Sequence, residues 1–157
     1  MAKSRALRTI LIAGLVAGTL DITYACVSAY TRRRLKPIDV FHTVAAGAVG
    51  RPAATAGGLK TAALGLFFHF LIALSAAAVY YLASRPIRFM VTHAVISGIL
   101  YGVCVYLFMY GIVLRFSALH ITTYPWSYPW SLLIGNVLIH ALGIGLPIAL
   151  ITRKFSR

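Results

Sequence analysis

Four long apolar runs dominate this chain of 157 residues. They cover about residues 7–30, 59–82, 89–113 and 131–151, and each has the ~20 residues that a helix needs to cross ~30 Å of hydrocarbon. Lipid offers no hydrogen-bond partner to an exposed backbone, so each run is expected to be helical. The sequence therefore predicts an all-α protein, a polytopic membrane four-helix bundle that forms a single transmembrane domain over residues 1–157.

The composition and the distribution of charge agree with this prediction. Hydrophobic residues make up 61% of the chain, which leaves too few polar residues to coat a soluble domain. The formal net charge is +13, and only Asp21 and Asp39 are acidic. The basic residues flank the apolar runs, where anionic lipid headgroups attract them, and no zinc-finger or recognition-helix pattern accompanies them. Nucleic-acid binding is therefore not expected.

The boundaries of the runs carry residue types that prefer the membrane interface. A basic cluster follows the first run, and a tandem Tyr-Pro-Trp repeat precedes the fourth. Such side chains favour the level of the lipid headgroups. We expect headgroup contacts from Arg32, Arg33, Arg34, Lys36, Trp126 and Trp130. Lysine and arginine are divided almost evenly between the two sides of the predicted bundle, so their count does not assign an orientation.

The first loop, from residue 31 to about residue 58, is the longest connection between the runs. After Pro37, the apolar residues recur at helical spacing, and glycine and proline then punctuate the chain from Gly50 to Gly58. This pattern predicts a short helix in the first loop. The helix either lies in the interface or enters the membrane from one side.

Small residues mark the faces on which the predicted helices pack. Gly14 and Gly18 are spaced as in the close-packing motif of membrane helices, and Gly65 and Gly143 lie on corresponding faces of the second and fourth runs. Asp21 shares the face of Gly14 and Gly18. We therefore expect Asp21 to point into an interface between helices and not at lipid.

One polar residue lies near the middle of each predicted span. These residues are Asp21, His69, Tyr101 and His140, and Asn136 lies on the same face as His140. An ionisable residue inside the membrane is costly, and it is a functional-site hypothesis by default. We expect these five residues to form a polar layer that couples protons or binds a ligand.

Several functions are compatible with such a layer. The favoured expectation is a non-enzymatic membrane component without a cofactor, an accessory or assembly subunit that forms a homo-oligomer or packs against another membrane protein. One alternative is a proton-coupled small-solute transporter that uses Asp21 and the midplane histidines, because four short spans with an acid in the first resemble the small multidrug-resistance transporters in architecture. Another is a subunit that binds b-type haem between His69 and His140.

Two further kinds of chemistry find little support in the sequence. A metal site is not expected, because Asp21 is the only carboxylate inside a span and no pair of ligands occurs at i, i+4 spacing. The chain also lacks a nucleophile elbow, a metalloprotease helix motif and a phosphate-binding glycine loop. We therefore do not expect an enzyme.

Four stretches carry a resemblance to small bacterial inner-membrane proteins without an assigned activity: 14–22 (GLVAGTLDI), 57–73 (GGLKTAALGLFFHFLIA), 101–106 (YGVCVY) and 140–150 (HALGIGLPIAL). Asp21, His69, Tyr101 and His140 lie in these stretches. The resemblance implies four spans and a multi-pass location in the bacterial cytoplasmic membrane. It implies no mechanism.

Overall fold

The computed structural model describes residues 2–156, and within that range it contains helices and no strand. Four helices are long and apolar enough to span a membrane: α1 (Ala2–Arg33), α4 (Gly58–Ala83), α6 (Ala94–Phe116) and α7 (Trp130–Ser156). The predicted fold class, an all-α bundle of membrane type, is confirmed.

Three short helices and one turn connect the spanning helices. Helices α2 (Pro37–Val49) and α3 (Arg51–Ala56) form the first loop, and α5 (Phe89–Thr92) precedes α6. A 3₁₀ turn covers Pro125–Ser127 in the third loop. Two of the spanning helices widen into π-helical turns, α6 at Met109–Val113 and α7 at Ile139–Gly145.

The third and fourth spans end at residues other than those predicted. Helix α6 begins at Ala94, because the backbone leaves the helical region at His93, where φ is −111° and ψ is 48°. Helix α7 continues to Ser156 and carries Arg153 and Lys154 in its last turn. Basic side chains there interact favourably with the negative end of the helix dipole, so the helix persists past the apolar run.

Glycine and proline give the first loop its hairpin shape. Gly50 and Gly58 adopt φ values of 80° and 55°, which side chains with a Cβ rarely tolerate. Pro37 and Pro52 lie in the first turns of α2 and α3, where a missing N–H group costs nothing. The chain therefore folds back on itself, and α2 packs against both α3 and the first turns of α4. This helix occupies the position predicted for the short helix of the first loop.

The spanning helices pack through small residues. Helix α1 contacts both α4 and α7, and α6 contacts α7. Gly14 and Gly18 bring α1 close to Leu74 and Phe70 of α4. The α6–α7 contact depends on glycines that the sequence analysis did not single out. Gly98 and Gly102, spaced as in the close-packing motif, lie directly against the backbone of α7 near Gly145.

The two ends of the bundle differ in structure. One end, here called the loop face, carries α2, α3 and residues 117–129, and there the guanidinium of Arg32 donates to the hydroxyl and carbonyl of Ser131, both at 3.2 Å. The opposite end, the terminal face, carries α5 and both ends of the described chain. Near it, Tyr80 is fully buried and its hydroxyl is 2.8 Å from Ser97 Oγ. Two polar groups of the core near the terminal face, Tyr80 and Ser97, are thus joined to each other.

Candidate functional site

Asp21 is the only acidic residue inside a spanning helix, and its side chain is partly buried in α1. Among residues 2–156, none forms a hydrogen bond or an ion pair with its carboxylate. Two titratable groups of other helices interact with it electrostatically, His140 of α7 and Tyr110 of α6. The structure therefore brings Asp21 and His140, two members of the predicted polar layer, into the same region of the bundle.

The imidazole of His140 has a defined tautomer. Its Nδ1 lies 2.8 Å from the carbonyl oxygen of Asn136, one turn earlier in α7. Because a carbonyl oxygen only accepts, Nδ1 must carry the proton, and in the neutral ring Nε2 keeps its lone pair. His140 lies in the π-helical turn Ile139–Gly145. Such turns occur frequently at functional sites of membrane and soluble proteins.

Four tyrosines lie on the side of the bundle that carries His140, and we call them the tyrosine cluster: Tyr24, Tyr106, Tyr110 and Tyr128. The hydroxyl of Tyr24 lies against Gly135 of α7, and Tyr24 interacts electrostatically with Tyr110. The ring of Tyr106 meets the His140 ring edge-on, with centroids 5.3 Å apart. Tyr110 stacks obliquely on Tyr106 at 4.6 Å and reaches Tyr128 of the third loop at 5.9 Å. Asn136 Nδ2 donates to the hydroxyl of Tyr110 at 3.0 Å. Polar groups thus continue from His140 towards the loop face.

Tyr106 is notable within the cluster because its hydroxyl is unsatisfied. Its side chain is 2% exposed, and no described residue forms a hydrogen bond with its hydroxyl. A buried polar atom that lacks a partner costs about 1–3 kcal/mol. Such an atom, in a residue whose ring contacts His140, indicates a place where water or a ligand supplies the missing bond.

The other two members of the predicted polar layer lie elsewhere. His69 Nε2 donates to the carbonyl oxygen of Gly18 at 2.8 Å and so joins α4 to α1. The hydroxyl of Tyr101 donates to the carbonyl oxygen of Ala76 at 2.7 Å and joins α6 to α4. Both side chains act as hydrogen-bonding links between helices. Helical spacing placed them at the right depth, but it does not define which neighbouring helix each one faces.

The tyrosine cluster is not among the site residues that the sequence predicted. A signal for it was present, since Tyr24 follows Asp21 by one helical turn and Tyr106 precedes Tyr110 by four residues. Tyr128 belongs to the Tyr-Pro-Trp repeat, for which the sequence predicts an interfacial aromatic belt. Its approach to Tyr110 arises because the third loop folds back over the end of α6.

The predicted packing and headgroup residues have the following positions. Gly65 lies against the backbone of Phe41 in α2, and Gly143 lies near Leu20 of α1, so of these two glycines only Gly143 faces another spanning helix. Arg32 is bound to Ser131. The remaining headgroup candidates are exposed at the loop face: Arg33, Arg34, Lys36, Trp126 and Trp130.

The positions of the histidine, cysteine and acidic side chains also bear on whether the chain binds a metal ion or haem. No group of three His, Cys, Asp or Glu side chains in the described part of the chain is arranged to hold a metal ion. His69 and His140 are each bonded to a backbone carbonyl, on α1 and on α7 respectively. Haem binding between them stays a prediction.

No known family, characterised protein or solved structure matches this chain. The functional argument therefore rests on the residues and contacts described above.

Proposed function

We propose that the chain is a small proton-coupled membrane transporter for a cationic solute, with Asp21 and His140 at its binding site. The observation that supports this proposal is the unpartnered carboxylate of Asp21. A polar residue that only holds helices together is expected to be hydrogen-bonded across the interface, as His69 and Tyr101 are. A carboxylate without such a bond is costly inside the membrane, and a proton or a solute cation relieves that cost.

The charge of the solute follows from the groups near Asp21. Lysine and arginine do not occur in residues 9–31, 61–83, 94–114 or 130–152, which form the interior of the spans. The site offers a carboxylate, the Nε2 lone pair of His140 and the rings of the tyrosine cluster. Aromatic faces and carboxylates both attract cations, whereas an anion would meet no fixed positive charge.

Coupling to protons follows from competition for one carboxylate. Asp21 holds either a proton or the solute cation, and His140, which interacts electrostatically with Asp21, is the neighbouring base that would exchange a proton with it. Loading the cation would then release a proton, and reloading the proton would release the cation. We propose the bacterial cytoplasmic membrane as its location, and the resemblance stated above supports this.

The experiment uses the full chain in vesicles that contain a trapped pH-sensitive dye. We expect external tetraethylammonium, which carries a permanent charge, to drive proton movement, and Asp21→Asn to abolish it. Since Asp21 donates and accepts no hydrogen bond within residues 2–156, the variant should fold. Asp39→Asn replaces the only other carboxylate and is the matched control. Proton movement that persists in Asp21→Asn, or that never exceeds that of empty vesicles, contradicts the proposal.

A second candidate function is favoured by the partial exposure of Asp21. A basic side chain of another membrane protein would then neutralise the carboxylate, and the chain would be an accessory or assembly subunit. Gentle extraction followed by mass spectrometry should find a stoichiometric partner that Asp21→Asn loses and Asp39→Asn keeps. A chain that is recovered alone, or only with its own copies, argues against this candidate.

A further inference from the structure

An open cavity with both polar and apolar lining lies in the hairpin between α2 and α3, away from the Asp21 site. Its volume is about 180 Å³, close to that of roughly six water molecules in the liquid. Two alanines form its base, and the other lining residues are Asp39, His42, Thr43, Arg51 and Thr55. The chain has two acidic side chains, and one of them, Asp39, lines this cavity together with the guanidinium of Arg51.

The oppositely charged side chains of the cavity, Asp39 and Arg51, do not form an ion pair with each other. Asp39 Oδ2 accepts from the backbone N–H of Lys36 at 2.8 Å, which leaves Oδ1 available. Arg51 is exposed, and of its polar groups only the backbone carbonyl is bonded locally, by Thr55 Oγ1 at 2.7 Å. Within residues 2–156, no ion pair joins Asp39 to Arg51 or to another base. The cavity therefore presents one free anionic atom and one free cationic group.

The remaining lining groups are acceptors. The hydroxyl hydrogens of Thr43 and Thr55 are donated to backbone carbonyls one turn earlier, so their oxygens offer lone pairs to the cavity. His42 Nε2 donates to the carbonyl oxygen of Gly58 at 2.9 Å, which leaves Nδ1 as an acceptor. A ligand that pairs with all of these groups therefore carries several N–H donors at one end and, at the other end, an anionic group that binds Arg51.

We propose that this cavity binds the phosphoethanolamine headgroup of a membrane lipid. Phosphate is a preferred partner of the arginine fork, and a primary ammonium provides three N–H donors for Asp39, Thr43 and Thr55. The cavity lies at the loop face, where α1 ends and α4 begins, and so at the level of lipid headgroups. Choline headgroups have no N–H donor, and glycerol headgroups have no cation, so neither satisfies both ends.

The proposal is tested with the full chain in vesicles of equal parts phosphatidylethanolamine, phosphatidylcholine and phosphatidylglycerol. After mild detergent extraction, native mass spectrometry counts the lipids that remain bound. We expect one phosphatidylethanolamine per chain, and about tenfold weaker retention in Arg51→Gln and in Asp39→Asn. Asparagine still accepts from Lys36 N–H, and Arg51 is exposed, so both variants should fold.

Lys60→Gln is the matched control, because Lys60 is an exposed basic residue of the same face that does not line the cavity. Equal retention of the three lipids, or the same loss in Lys60→Gln as in Arg51→Gln, overturns the proposal. Soluble phosphoethanolamine distinguishes the source of the ligand. If it displaces the lipid from the wild type, the headgroup alone is recognised, and if it does not, the acyl chains contribute to binding.

Discussion

The closest contact between two spanning helices gives the sharpest test of the fold. Gly102 of α6 lies against α7, where a Cβ would be 2.6 Å from Ala141 Cα and even closer to the carbonyl oxygen of His140. Ordinary contacts of a Cβ begin at 3.4 Å, so Gly102→Ala must separate the two backbones by at least about 0.8 Å. The atoms that have to move belong to the main chain and have no alternative rotamer.

The magnitude follows from two opposing effects. Overpacking of this kind costs about 1–3 kcal/mol, while alanine is favoured over glycine in a helix by up to about 1 kcal/mol. We expect a net loss of about 1–2 kcal/mol for Gly102→Ala. Gly111 lies on the same helix, and a Cβ there meets no described atom within 4 Å. The substitution Gly111→Ala therefore gains the higher helix propensity of alanine without a steric cost.

The assay compares both variants with the wild type by reversible denaturant titration in detergent micelles, followed by circular dichroism. The difference between the variants isolates the steric cost, because the propensity change is common to both. We expect that difference to be about 1–3 kcal/mol. If Gly102→Ala is as stable as Gly111→Ala, the described contact between α6 and α7 is wrong.

Further predictions concern the hydrogen bonds between helices. Tyr80→Phe removes the bonds from its hydroxyl to Met90 O at 2.9 Å and Ser97 Oγ at 2.8 Å, and should lower the free energy of unfolding by about 1 kcal/mol in the same titration. Tyr101→Phe removes a single bond to Ala76 O, and we expect a smaller loss of about 0.6 kcal/mol. His69→Phe should cost a similar amount without affecting cation-driven proton movement, since His69 is bonded to Gly18. Loss of that movement at normal stability would place His69 in the transport site.

Much of the fold was predictable because the bilayer restricts the alternatives. An apolar run of more than 20 residues has to be a helix in lipid, and four such runs define the architecture. Helix ends were less predictable, since His93 interrupts an apolar stretch without a proline or glycine. No sequence pattern predicted the π-helical turns in α6 and α7.

The candidate site was predicted in part. Asp21 and His140 were identified because charge inside an apolar run is visible in any sequence. The tyrosine cluster was not, since tyrosine is common in membrane proteins and its role depends on which rings meet. The cavity between α2 and α3 likewise depends on the hairpin that Gly50 permits.

The sequence by itself determined that this chain has four membrane helices, a short helix in the first loop and one intramembrane carboxylate. These features follow from hydrophobicity and spacing along a single helix, which are local properties. Only the tertiary structure decided that His140 of α7 interacts electrostatically with Asp21 while His69 bonds to Gly18, that the buried Tyr106 hydroxyl has no partner among the described residues, and that Asp39 and Arg51 share a cavity. Those relations depend on how the helices are rotated and how closely they approach, and both are set by the glycine contacts between them.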